Sequence, residues 1–403
     1  MKPIVRAGRM KPVHSDIRGP LFVEAMKRQK QGIDILKLNT GNPATFGFGL
    51  PDSIKNALME HMQDGVGYCD FKGMPQARQA ICDYETSKGI KGITPDDVFI
   101  GNGVSEVVSF ALTPLLNDGD EVLVPSPSYS LWGNSVYLED GKPVFYTCDE
   151  QANWYPDIQD IRSKITDKTK AIVIINPNNP TGVLYPKELL LEIIQIARES
   201  GLLIFADEIY DRLVMDGKQH ISLASLTEDV PVITLNGLSK SHCLCGYRCG
   251  WMVISGPREL TEDYRQGIIQ LTSLRLCANT MAQIVIPAAL DDMETPASMV
   301  RPGGRIYEQR EATVRELEKI DGLSFVKNDA AFYVFPKLDV KKFNITNDKQ
   351  FAHDLLDVTN ILLVPGSGFD WKDPDHFRIV MLPQADILSD ACLLYTSDAA
   401  DEP

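Results

Sequence analysis

The chain has 403 residues, with 55 acidic against 40 basic side chains and a formal net charge of −15. Such a surface repels phosphate backbones and anionic bilayers, which excludes nucleic acid and membrane surfaces as general partners while leaving small anions open to a local pair of arginines. Hydrophobic residues make up 44% and charged residues 24%, the balance of a globular protein long enough for about two domains.

In chain order, a basic arm (1–30) contains DIRGP (16–20) and runs into an amphipathic helix at 21–31. A short strand at 35–38 breaks at NTGNP (39–43). Helices are predicted at 52–61 and 74–88, separated by the Gly-rich loop GVGYCDFKG (65–73). From residue 98 an alternation sets in. Strand 98–100 leads through GNGVS into helix 106–116, and strand 121–124 through PSPSY into a helix at 132–139. Strand 171–175 stops at NPNNPTG (176–182) before helix 186–199, and strand 202–206 stops at DEIY (207–210). Strand 230–235 ends at a lysine turn, and 250–254 is a further apolar run. Short unbroken apolar strands alternating with helices predict an α/β domain with a mainly parallel sheet covered on both faces. After a long helical stretch at 267–290 the pattern changes. Helices at 305–318 and 350–358 mix with strands at 323–326, 331–335, 361–364 and 377–380, a smaller α+β domain in which the first two strands are expected to pair. No run reaches 18 apolar residues and the first 28 lack an apolar signal core, so a cytoplasmic chain with reduced thiols is expected from its eight scattered cysteines.

The strand ends carry the chemistry. In LNGLSKSHCLCGYRCGW (235–251), Lys240 follows a strand at the rim where ligands of α/β proteins gather, and Arg248 lies eight residues on. Burial and a nearby cation would lower the amine's pKa and ready it for Schiff-base chemistry with an aldehyde. Asp207 is a carboxylate suited to a protonated pyridine nitrogen, with Tyr210 and Asn179 in reach of a ring hydroxyl and Tyr129 as a stacking face. Gly103, Val104 and Ser105 open a helix whose N–H groups suit a phosphate. Arg248 suits phosphate and Arg378 a carboxylate. GNGVSE partly mimics a dinucleotide fingerprint but lacks the third glycine. Cys243, Cys245 and Cys249 lack the paired spacing of a zinc site and read as small buried hydrophobes.

The stretches DIRGP, LNTGNPATFGF, GYCDFKG, GNGVSE, VPSPSYSLW, IINPNNPTG, IFADEIYD, NGLSKSHCLCGYRCGW, RLCAN, PGGRIYEQR and HFRIVMLP span about residues 10–388. As a set they resemble the class I pyridoxal-phosphate-dependent aminotransferases of the aspartate-aminotransferase fold, and within them the bacterial alanine–2-oxoglutarate (glutamate–pyruvate) transaminases. The resemblance implies fold type I, with a mainly parallel seven-stranded sheet in the large domain. It places an arm and part of the small domain at 1–48, the large cofactor-binding domain at 49–290 and the small domain at 291–403. It implies pyridoxal 5'-phosphate, a homodimer with shared active sites, and ping-pong transfer of an amino group between L-alanine and 2-oxoglutarate. A carbon–sulfur lyase on the same fold and an aminotransferase of broader specificity are the alternatives.

Residue by residue, the resemblance makes Lys240 the Schiff-base lysine and proton carrier. Asp207 pairs with the ring nitrogen, Asn179 and Tyr210 with the ring oxygen, and Tyr129 stacks on the ring. Gly103, Val104, Ser105, Ser239 and Arg248 take the phosphate, with Tyr68 reaching in from a second subunit. Arg378, Asn179 and the Gly41 backbone grip the substrate carboxylate, and Arg18 approaches as a lid or as a contact to a side-chain carboxylate. Three departures stand out. Gly237 replaces a serine that many relatives use on the phosphate, 241–245 (SHCLC) lacks a cation often found there, and 389–403 departs from the family's closing amphipathic helix. That last stretch reads as a truncated or foreign tail that leaves an apolar face of the small domain uncovered.

Overall fold

A computed structural model describes residues 2–397. Its main sheet has eight strands, in the order Val98–Asn102, Cys249–Ser255, Val232–Gly237, Leu203–Asp207, Thr169–Ile175, Glu121–Ser126, Lys142–Asp149 and Tyr155–Pro156. Cys249–Ser255 runs antiparallel to both neighbours and Tyr155–Pro156 is antiparallel at the edge; the other pairings are parallel. The expected seven strands become eight through this two-residue edge strand. Lys142–Asp149, absent from the predicted strands, buries only Pro143, Tyr146 and Cys148, as a strand near a sheet edge can.

Both faces of the central strands are covered. Ile172, Ile174, Ile204 and Ala206 pack on one side with the helix Lys187–Ser200, while Ala171, Val173, Ile175 and Phe205 pack on the other with the helix Val104–Leu112. That two-sided burial, about 1.5–3 kcal/mol for each large side chain, is why these strands read as unbroken apolar runs. The long helix at 267–290 is instead Arg258–Arg275, a break at Leu276 with φ +77°, and the short helices Thr280–Ile284 and Ile286–Asp291.

Leu36–Lys37 pairs in parallel with Ile361–Leu362, and the helix Pro20–Lys30 packs through Ala25 against Leu356 and Leu362, so residues 20–37 join the C-terminal α+β unit. There, Leu323–Ser324 pairs with Lys337–Leu338 and Tyr333–Val334 with Phe377–Val380, instead of with each other as expected. The last helix runs Ala385–Ser397 against Arg305–Leu317 and buries Leu388, Ala391 and Cys392. The apolar face expected to lie bare after residue 388 is therefore covered as far as residue 392, and residues 398–403 lie outside the described ones.

Candidate active site

Several chain segments meet at the rim formed by the C-terminal ends of the parallel strands. Val232–Gly237 passes directly into the single helical turn Leu238–Ser241, which lifts Lys240 above the sheet. The Lys240 Nζ donates to the Gly41 carbonyl at 2.9 Å and lies over the Phe332 ring. Burial pushes the amine's pKa down, but the surrounding Tyr333, Cys245 and Tyr129 win and hold it above the ordinary lysine value, with Arg378 opposing. The expected lowering by Arg248 is not what this arrangement produces: the cation bearing on Lys240 is Arg378.

Asp207 ends its strand fully buried. It accepts from Trp132 Nε1 at 3.1 Å and from the Ile209 amide at 3.4 Å, and forms no ion pair among the described residues. Burial pushes its carboxyl up to about 6. One turn on, the Tyr210 hydroxyl meets that of Tyr333 at 2.9 Å. The Tyr333 and Phe369 rings also pack on the Arg378 guanidinium. Arg378 donates to Asn179 Oδ1 at 2.8 Å and to the Asn39 carbonyl, while its buried Nε has no partner among the described residues. Burial draws its pKa down.

At the neighbouring strand end, Gly103 (φ +83°) caps the helix Val104–Leu112, so Val104 and Ser105 lie in the first turn. The Arg248 guanidinium closes on Gly103: a Cβ there would fall 2.2 Å from Arg248 Nη2. Arg248 itself is held by the Cys245 carbonyl at 3.0 Å. A Cβ on Gly250 would fall 2.4 Å from the Val104 amide, so glycine lets these two backbones touch. Gly237 is equally constrained, since a Cβ would fall 2.5 Å from the Cys249 carbonyl; a serine there needs a backbone shift, so its absence is dictated by packing.

The geometry thus brings together Lys240, Asp207, Tyr210, Asn179, Arg378 and Gly41, with Tyr129 close enough to bear on both Lys240 and Arg378. Ser239 lies within the lysine turn, its carbonyl accepting from the Cys245 thiol at 3.0 Å. Tyr68 is not part of this group within one chain; it stands 85% exposed. Arg18 makes no hydrogen bond or ion pair among the described residues, although the carbonyl of its neighbour Ile17 accepts from Asn39 at 2.8 Å. The clustered cysteines go separate ways: Cys243 contacts Met299 Sδ, Cys245 the Ser239 carbonyl, and Cys249 is buried in a strand, with burial pushing Cys243 and Cys249 up to about 12. Trp132 and Tyr333 carried no signal as site residues, because their partners lie 75 and 123 positions away.

These features fit pyridoxal phosphate. A buried carboxylate without a cation suits a pyridinium, a helix start closed by an arginine suits a phosphate, and a lysine amine stands between them. Residues 33–389 match the family model described as aminotransferase class I and II. The chain is 50% identical to glutamate-pyruvate aminotransferase AlaA of Haemophilus influenzae, over 97% of each chain. It is 48% identical to the Escherichia coli protein of the same name, over 96% of this chain and 95% of that one. The crystal structure of an aminotransferase from Escherichia coli superposes with a TM-score of 0.98 at 46% identity, covering 99% of each chain.

Proposed function

Because the chain belongs to the aminotransferase class I and II family, we propose that it transfers an amino group between L-alanine and 2-oxoglutarate, giving pyruvate and L-glutamate by a ping-pong cycle with pyridoxal 5'-phosphate. The observation that carries the chemistry is the convergence of Lys240, Asp207 and the Asn179–Arg378 pair on one rim. The choice of alanine and glutamate rests on identity to the glutamate–pyruvate enzymes.

When bound, pyridoxal phosphate supplies an electron sink for the bond broken at the substrate α-carbon. The chain's residues do the rest. Lys240 anchors the cofactor through its amine, then moves the α-proton. To act as a base it must first shed the proton that its surroundings now favour. Asp207 keeps the ring nitrogen protonated, and Trp132 holds that carboxylate in place. Tyr210 and Asn179 bond the ring oxygen, and Tyr129 stacks. Gly103, Val104, Ser105, Ser239 and Arg248 hold the phosphate. Arg378, already aligned by Asn179 and Asn39, offers its N–H groups to the α-carboxylate beside the Gly41 backbone, so little order remains to be gained on binding. Arg18 closes over the substrate.

A homodimer in the cytoplasm completes the reading. Val66 and Tyr68 on one segment and Leu274 and Leu276 on an abutting one stand exposed, and a second copy covering them would bring Tyr68 of the partner subunit to the phosphate. The test is purified protein with added cofactor, given alanine, aspartate, tyrosine or valine as donors to 2-oxoglutarate. Glutamate should form fastest with alanine as the donor, and Lys240→Ala should lose turnover by at least about a thousandfold along with the visible absorbance of the bound cofactor. An active Lys240→Ala protein with unchanged absorbance overturns the assignment.

A further inference from the structure

Behind the rim, on the side of residues 207–211 turned away from Lys240, a group of charges is buried together. The Lys88 ammonium, at the C-terminal end of the helix Pro75–Ser87, lies 2.8 Å from Glu85, 2.7 Å from Glu208 and 3.1 Å from Asp211. Its three N–H groups match three carboxylates. The carboxylates are held from other directions too. Glu208 accepts from the Ser222 hydroxyl at 2.9 Å and the Leu223 amide at 3.0 Å. Asp211 accepts from the Tyr84 hydroxyl at 2.6 Å and from Asn236 Nδ2 at 2.7 Å, and Glu85 accepts from Trp251 Nε1 at 3.1 Å. Other charged or titratable groups bearing on the cluster are Arg212, stacked on Tyr84, His220, whose Nε2 contacts the Asn176 carbonyl, and the buried His242, which feels Asp211 and Arg212. Glu208, Asp211 and His220 stand close enough to share a cation, and the cation found beside them is Lys88.

The segment has two faces. Asp207 and Tyr210 turn toward the lysine rim, while Glu208 and Asp211 turn toward Lys88. We propose that Lys88 is a positioning residue for the cofactor: held between Glu208 and Asp211, it fixes from behind the segment that carries Asp207 and Tyr210, and its charge offsets the carboxylates under the ring site. This rests on the reading of the rim as a pyridoxal-phosphate site. Without the ammonium, Glu208 and Asp211 would repel each other in a dry interior, and the segment would spread with both charges kept. The field at the rim would turn more negative and favour the protonated form of the Lys240-bound chromophore. Removing the Glu208 charge would do the reverse.

The experiment compares wild type, Lys88→Met, Lys88→Arg and Glu208→Gln, each stripped of cofactor and then titrated with pyridoxal phosphate. Two readings are taken: the Kd from quenching of tryptophan fluorescence, and the pH midpoint of the visible absorbance of the loaded protein. Lys88→Met should weaken binding about tenfold and raise the midpoint by about half a pH unit. Glu208→Gln should lower the midpoint, and Lys88→Arg should restore both readings toward wild type. A Lys88→Met protein that melts earlier yet keeps the wild-type Kd and midpoint overturns the proposal, because Lys88 would then be a structural charge only. Should Lys88→Met fail to fold, Glu208→Gln decides: an unmoved or raised midpoint overturns it. Wild-type protein that binds no pyridoxal phosphate overturns the functional reading itself, a separate outcome.

Discussion

Asp207 shows what one residue gives up for a site. Its carboxyl, near 3.8 in an unfolded chain, is pushed up to about 6 by burial. A raised acid binds more protons folded than unfolded, so the cofactor-free protein loses stability as pH climbs from about 4 to about 6 and does not recover it above. Asp207→Asn keeps an acceptor for Trp132 and removes the charge. At pH 8 the cofactor-free variant should be more stable by roughly 2 kcal/mol in urea titrations, while binding pyridoxal phosphate poorly. Tyr333→Phe is the complementary case. It keeps the ring that packs on Arg378 but frees the Tyr210 hydroxyl, and should lower kcat/KM about tenfold with little change in melting temperature. At this scale the sequence was half legible. Lys240, Asp207 and Asn179 could be picked out because each follows an apolar run, where a polar side chain is out of pattern. Trp132 and Tyr333 sit among other apolar residues, and only the folded chain reveals what their polar atoms meet.

Among the elements, the N-terminal arm has a titratable fastening. His14 lies 3.1 Å from Asp370 and 3.5 Å from Asp16, and its backbone exchanges hydrogen bonds with the Asn134 side chain. Bonding to Asp16 and then to Asp370 raises its pKa from 6.5 to about 9. A histidine raised on folding stabilises fully below its unfolded value, and that contribution fades as pH rises through about 9. Protease cleavage within residues 2–18 should therefore accelerate between pH 7 and 9.5, and His14→Gln should be cleaved fast throughout; a flat profile for wild type would count against the fastening. The elements that escaped the sequence share a cause. Lys142–Asp149 near the sheet edge has only the short apolar run 144–146 between a proline and a threonine, and the break at Leu276 coincides with long-range contacts, with Arg275 donating to the Phe71 and Ile100 carbonyls, and carries no local glycine or proline signal.

For the molecule as a whole, the βα alternation made the large sheet legible because each central strand buries both faces. The small unit was less so. The two-residue strands Leu36–Lys37 and Tyr333–Val334 take partners far along the chain, so local periodicity holds no information on their pairing; the expected hairpin between 323–326 and 331–335 gave way to Leu323–Ser324 with Lys337–Leu338 and Tyr333–Val334 with Phe377–Val380. The strand Leu36–Lys37 has a consequence for biosynthesis. Its neighbour in the sheet, Ile361–Leu362, and the Arg378 guanidinium that binds the Asn39 carbonyl from 339 positions away both leave the ribosome long after it. This strand must therefore wait unpaired while the intervening chain is made, an interval in which a nascent chain is most in need of chaperone protection.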